Sequence, residues 1–522
     1  MAPVETHRAI LRAEDPVFDP RKPAAIFSTA SAMRAIELTN GTAQPQSGER
    51  LIGVLPPVFP EYLGEQAFRE RHGARFAYIV GEMARGIATP QMVICAARAG
   101  LIGFYGSAGL SIPEIERSLG EIRAALGSQA RNWGANLIHS PHEPNAELAF
   151  AELAIRCAVP LVSASAFMRL SSAIVWLAAH GLQRQANGQI RRARSIVPKV
   201  SRIEVARQFL VPAPTQLLRA LVEQRRISAE EADLAAQIPL ADEITAEADS
   251  GGHTDNRPLS VLLPQICALA AGEARKSGHE CASIGAAGGL GTPAAIAGAF
   301  ALGAGYVVTG SINQAAKQSG LSPDAREMLA SAESTDVAMA PAADMFELGV
   351  KVQVLKRGSL FAQRGQRLYD TYKRYAGLDE IPTQERVDLE TQVLGCAIAE
   401  IWQETRSYFA SRAPQEIERA QGDPKHKMAL VFRWYLFMGA QWAREGKVER
   451  RSDYQIWCGP AMGAFNGWAR GTFLEDNSAR DVVQMALNLM EGAAHIARAQ
   501  SLRAAGINVP AEAFEFKPRH LI

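Results

Sequence analysis

Charge of one sign, cysteine motifs and membrane-framed apolar runs are scarce in this sequence, and each shortage closes a class of function. Across 522 residues, 55 Lys and Arg nearly balance 54 Asp and Glu, leaving a formal charge of +1. No global field therefore draws the chain to nucleic acid or to an anionic membrane. The six cysteines, Cys95, Cys157, Cys267, Cys281, Cys396 and Cys458, stand far apart with no CxxC pair, a pattern that fits a reduced cytoplasm. His139 and His142 are close in sequence but have no third or fourth ligand in view, so no metal site is expected. Neither a GxSxG elbow nor a GxxxxGK(S/T) loop occurs, which removes the usual hardware of serine acyl transfer and P-loop hydrolysis. The start, MAPVETHRAILRAEDP, mixes charges and prolines before any apolar run develops. It reads as the start of a mature cytoplasmic protein rather than as a secretory leader.

One stretch, residues 284–316, has no charged residue and is long enough to cross a bilayer. It also holds eight glycines, Pro293, Thr292, Thr309, Ser311 and Asn313. It divides into strand, glycine loop, small-residue helix and strand, and buried parallel strands produce such charge-free runs. A membrane span is therefore not expected.

Residues 1–50, with Pro16, Pro20, Pro23 and Pro45, read as an extension with little regular structure. From there to about residue 365, short apolar runs alternate with helical patterns, the signature of a parallel sheet with crossover helices. The strand-like runs span 76–81, 101–106, 133–139, 159–165, 196–201, 243–248, 282–288 and 306–311. Eight is the barrel number, and no clean GxGxxG follows Val80 as an open doubly wound sheet would want. The expected fold is α/β: a (β/α)8 TIM barrel over 51–365 with an added, mostly helical C-terminal subdomain. That subdomain divides into a helical lid or insertion at 366–455 and a segment packing on the barrel at 456–522. An inserted helical pair is expected over 217–237, near the barrel mouth. Residues 385–410 and 428–446 read as amphipathic helices suited to a lid or a homodimer surface.

The strongest local signal is a pair of glycine-bearing strand ends, GAAGGLGTP at 285–293 and VVTGS at 307–311. In a barrel these are the seventh and eighth loops, where Gly288, Gly289, Gly310 and Ser311 would cradle a phosphate; tight strand-to-helix packing would demand the same small residues. EADSGGHTDNRP, 247–258, crowds polar residues at the sixth strand end. Gly251 and Gly252 allow close backbone approach and His253 can exchange a proton near neutrality, or simply cap a loop. Lys199 and Asn136 sit at the same end of their strands, suited to a flavin edge or a phosphate, and equally to a salt-bridged barrel. GEMARGIAT, 81–89, supplies Gly81 and Met83 as an apolar floor for a flat ring, although methionine more often fills core gaps. Basic residues gather at Arg184, Arg191, Arg192, Arg194, Lys199, Arg202 and Arg207, either a docking patch for an acidic carrier or scattered solvated charge.

GEMARGIAT, PKVSR, EADSGGHTDNRP, IGAAGGLGTP, VTGSINQA, TDVAMAPAADMFELGVKVQVLKRG and GPAMGAFN together resemble the flavin-dependent (β/α)8 enoyl reductases and nitronate monooxygenases. Within them, residues 50–470 resemble the PfaD-type trans-acting enoyl reductases. The resemblance implies an FMN enzyme that uses NADPH to reduce α,β-unsaturated thioesters on an acyl carrier protein. Its setting would be a polyketide or polyunsaturated fatty acid synthase. It implies FMN contacts at Gly81, Met83, Asn136, Lys199, Gly251, Gly252, Gly288, Gly289, Gly310 and Ser311, and a catalytic role for His253. Simpler members carry a compact EAGGH motif; here Asp249 and Ser250 enlarge it, which would shift the histidine or place Asp249 beside it. The competing readings are a nitronate monooxygenase-like flavin oxidase and a non-catalytic docking subunit of a synthase.

Overall fold

The computed structural model describes residues 18–29, 32–38, 45–140 and 143–521. Pro16, the charged start of the chain and His142 lie outside them. Each of the eight apolar runs is a strand: β1 Tyr78–Val80, β2 Ile102–Tyr105, β3 Trp133–Ile138, β4 Leu161–Ser165, β5 Ser195–Val200, β6 Glu243–Glu247, β7 Ser283–Ala287 and β8 Tyr306–Thr309. They pair in parallel and close into a barrel in which β8 joins β1. Both faces of these strands are buried, which is why they read as runs rather than as alternations. The charge-free stretch 284–316 supplies β7, helix Pro293–Ala301 and β8, and no helix among the described residues is long and apolar enough to cross a membrane.

Side chains alternate across a strand, so every second residue faces the barrel axis. The inward set forms its own cluster, including Ile79, Ile102, Phe104, Leu161, Val197, Ala287, Tyr306 and Val308. Helix α1, Gln66–His72, stoppers the end where the strands begin. Its Phe68 stacks on Tyr306 with ring centroids 4.2 Å apart, and Arg71 and His72 meet the wholly buried Glu243 at 2.5 and 3.0 Å. Burial alone would raise the Glu243 carboxyl, but these two basic partners hold it low. At the same end, Glu65 accepts a 2.5 Å hydrogen bond from Ser283.

Three expectations need correcting. Residues 24–28, 33–37 and 50–55 form an antiparallel three-stranded sheet, not an irregular extension. Their apolar residues Ala24 and Ile26 pack on Ala499, Leu502, Ile507 and Val509, almost the whole chain away. The helical pair, α3 Thr215–Glu223 and α4 Ala229–Ala235, packs on helix α2, Ser172–Ala179, and on the hairpin before β5. Trp176 donates to the Arg226 carbonyl and Glu231 accepts from the Gly181 amide, so the pair sits away from the mouth. Residues 385–410 are not one helix: a π-turn at Glu390–Leu394 ends on Gly395 at φ 74°, and a new helix runs Ile398–Arg412.

Beyond β8, strands β9 Val337–Pro341 and β10 Lys351–Leu355 pair antiparallel and add the short stretch Gly252–His253 to their edge. Helices then take over. Those that bear on the site are α5 Pro293–Ala301, already met in the barrel, α6 Pro424–Glu445, α7 Ala461–Ala469 and α8 Val482–Ala504. α8 lies against α5, where a Cβ on Gly492 would come 2.6 Å from the Pro293 ring.

Candidate active site

Two residues beyond the last interior core position, which is apolar except for Gly134 in β3 and Thr245 in β6, the strands change character. β3, β4, β5 and β6 present Asn136, Ser163, Lys199 and Glu247, whereas β1, β2, β7 and β8 present Gly81, Gly106, Gly289 and Gly310. Because the barrel order keeps β7, β8, β1 and β2 adjacent, the upper rim is glycine on one half and polar on the other. This is the end of the barrel at which such folds carry chemistry.

The polar half is organised around Lys199. Its ammonium lies 3.0 Å from Glu82 and 3.1 Å from Glu247, and Glu82 also accepts a 2.8 Å hydrogen bond from Ser163. Burial disfavours the ammonium, but the two carboxylates more than reverse this and raise its pKa above the ordinary lysine value. Lys199 is therefore a fixed cation. Asn136 is buried; its side-chain oxygen accepts from the Ala108 amide at 3.2 Å and from Ser107 at 3.3 Å. That network assigns its NH2 to the unbonded side, with no protein acceptor among the described residues. Glu82, Ser163 and Ser107 were not singled out from sequence; each is tied to a partner on another strand.

The glycines divide by what stands over them. At Gly81 an added Cβ would meet Val308 at 2.9 Å, and at Gly106 it would meet the Met83 carbonyl at 1.8 Å. Both glycines serve close backbone packing, and the Gly81 amide is spent on the Thr309 carbonyl. Met83 is nearly buried and lends its carbonyl to Ala88. Gly288, at φ 90°, is pressed on the β6 loop, its Cβ position 2.7 Å from Ala248. Gly289 and Gly310 have nothing within 4 Å of their Cβ positions. They open beside the N-terminus of α5, which Thr292 caps, and beside the short helix Ser311–Ala315. The Ser311 hydroxyl accepts from the Gly459 amide at 3.0 Å.

The remaining wall comes from far along the chain. Trp457, Cys458 and Gly459 wedge between the loops after β6 and β8. A Cβ on Gly251 would fall 2.7 Å from the Cys458 nitrogen, and one on Gly459 would fall 2.9 Å from the Gly251 nitrogen. Gly251 thus has protein backbone against its α-carbon. Gly252, at φ 84°, is free of close neighbours. His253 stands outside the barrel strands on the edge of β10, its side chain about a third exposed, with Nε2 3.2 Å from Asp344. Partial burial disfavours its charged form, but Asp344 outweighs that and raises its pKa. Asp249 is not the partner: it accepts from Asn256 at 2.9 Å and from Gln353 at 2.7 Å.

The basic cluster does not form one patch. Lys199 faces the rim, buried Arg194 bonds the carbonyls of Leu177 and His180, and Arg192, Arg202 and Arg207 are paired with Asp242, Asp255 and Glu273. Among the described residues, no three His, Cys, Asp or Glu side chains gather as a metal site.

Known proteins share this frame. The enoyl reductase domain of MlnA, from the macrolactin biosynthesis cluster of Bacillus amyloliquefaciens, superposes with a TM-score of 0.81 at 35% identity, covering 85% of this chain and 99% of that domain. This chain belongs to that enoyl reductase family. One component of the polyunsaturated fatty acid synthase of a Thraustochytrium species is 42% identical over 449 residues, 84% of this chain and 30% of its own length. The polyketide biosynthesis protein PksE of Bacillus subtilis is 39% identical over 434 residues, 83% of this chain and 56% of its own length. The chain thus spans between about a quarter and just over half of the curated relatives it matches. The family model for the inserted helical domain of acyl-carrier-protein S-malonyltransferases matches residues 375–454, a stretch that includes α6.

Proposed function

We propose that this chain is an FMN-dependent enoyl reductase acting in trans, using NADPH to saturate the α,β-double bond of enoyl thioesters on an acyl carrier protein. The setting is a polyketide or polyunsaturated fatty acid synthase. The carrying observation is the divided rim, read with membership of the enoyl reductase family. The glycine half, open over Gly289 and Gly310, admits a phosphate and the backbone approach of a flat ring, and the polar half offers a fixed cation and an uncommitted amide. These residues fit FMN: Gly289, Gly310 and the N-terminus of α5 would hold its phosphate, while Lys199 and Asn136 would meet the polar edge of its ring. When bound, the flavin supplies two-electron transfer between the nicotinamide and the electron-poor double bond.

The chain's own groups do the rest. Lys199, pinned by Glu82 and Glu247, holds positive charge at the rim without drifting into solvent. His253 is the proton donor we assign to the substrate α-carbon, since Asp344 keeps it protonated to higher pH than a free imidazole. Trp457 to Gly459 narrow the mouth against water. The six cysteines are all unpaired, which supports a reducing, cytoplasmic location.

An absorption spectrum of the purified chain tests the reading. Flavin bands that bleach with NADPH under anaerobic conditions and return when a crotonyl thioester of a carrier mimic is added are the expected result. A chain that takes up no FMN, or whose reduced flavin is left unchanged by every enoyl thioester, would overturn it.

A further inference from the structure

The loop after β1 ends in a contact that the barrel does not need. Arg85 holds a left-handed backbone at φ 60°, and its guanidinium is buried against α6. It donates to the Phe437 carbonyl at 2.8 Å and to Gln441 at 3.5 Å, and lies 3.8 Å over the Phe437 ring. Arg444, three residues beyond Gln441 on the same helix, comes to the same place: its Nη2 is 3.7 Å from the Cβ position of Gly86. Burial, and then the like charge of Arg444, pull the Arg85 guanidinium down to about 10.

Arg85 has an evident structural use, as a strut between the loop and α6. Arg444 has none. Its guanidinium makes no hydrogen bond, ion pair or ring contact among the described residues, and its Nε is shielded from water without an acceptor, as is the Nε of Arg85. The nearby carboxylate of Glu445 takes a hydrogen bond from Gln441 instead. Two guanidiniums gathered in a partly desolvated seam repel each other and leave N–H donors unmet, an arrangement that an anion with several oxygens would relieve. The seam is reachable: Gly109 is exposed, Gly86 and Leu110 are partly so, and Phe437 is 36% exposed. It also lies only two residues along the β1 loop from Met83, the residue that the family resemblance sets beneath the ring.

We propose that Arg85 and Arg444 form a phosphate-binding site at the seam between the β1 loop and α6, holding the phosphate of a ligand whose reactive end reaches the barrel mouth. The inference rests on the reductase reading, which provides two ligands of that chemistry: the phosphodiester of a carrier's pantetheine arm and the phosphates of the nicotinamide dinucleotide.

Calorimetric titration of the FMN-loaded full chain with 4′-phosphopantetheine, pantetheine and NADPH tests the site. The expected result is that the wild type binds 4′-phosphopantetheine about tenfold more tightly than pantetheine, and that Arg444→Gln removes the preference while Arg444→Lys restores part of it. If Arg444→Gln instead weakens NADPH about tenfold and pantetheine and its phosphate bind alike, the site stands and its phosphate is the dinucleotide's. The wild-type comparison holds even if a variant fails to fold. The site is overturned if the wild type does not distinguish pantetheine from its phosphate and a folded Arg444→Gln protein binds NADPH as before. Enoyl thioester turnover by the wild type is scored separately, so a chain that binds the phosphate but reduces nothing sinks the reductase reading and leaves the site.

Discussion

Lys199 is the residue on which the rim turns, because its ammonium separates two carboxylates. Removing the cation while keeping the bulk, as in Lys199→Met, leaves Glu82 and Glu247 facing each other with little water. The expected cost is about 3 kcal/mol in urea unfolding, with part regained in a Lys199→Met, Glu82→Gln double variant. His253 carries the pH dependence. Its folded pKa is raised above the ordinary 6.5, so its pairing with Asp344 stabilises fully below that value and fades as pH climbs through the raised one. Asp344 is depressed below 3.8 and sets the acid edge, where the pairing is lost as pH falls through the depressed value. In Asp344→Asn the His253 titration, followed by ring-proton NMR, is expected to move downward; an unmoved midpoint would show that the carboxylate does not hold the ring. Lys199, Asn136 and His253 were legible in the sequence because each sits at or just past a strand end. Glu82 and Asp344 were not: their partners Ser163 and His253 lie 81 and 91 residues away, and no local spacing records such pairs.

Among the elements, the glycines of the EADSGGH loop show how one residue type answers two different needs. Gly251 meets the Cys458 backbone, so Gly251→Ala must push two chain segments apart and is expected to cost about 1–3 kcal/mol. Gly252→Ala meets only an ordinary contact with Trp457 at 3.9 Å and bears the left-handed backbone, about 1 kcal/mol. Chemical unfolding of the two variants gives the order, and equal losses would deny the wedge at residues 457–459 its role. The sequence displayed both glycines but not which one touches protein, because the touching segment lies two hundred residues downstream. The barrel strands were readable for the opposite reason: burial on both faces prints an apolar run on each. The sheet near the N-terminus carries no such print, since what buries Ala24 and Ile26 is the end of α8 and the segment after it.

At the scale of the molecule, the chain is a barrel closed at one end by α1 and walled at the other by residues that follow the last barrel strand by more than a hundred positions. Phe68 stacked on Tyr306 and the Glu243 cluster fill that foot of the barrel. Within the reductase reading, the dinucleotide and the acyl chain both need the rim at the open end. Reductant and acceptor must then take turns, each leaving before the other arrives. Initial rates measured at several fixed levels of one reactant should give parallel reciprocal lines, and excess of either reactant should slow the other; intersecting lines would mean that both fit through the opening at once. A stopper placed for stability at the foot of the barrel thus dictates the order of traffic at its top.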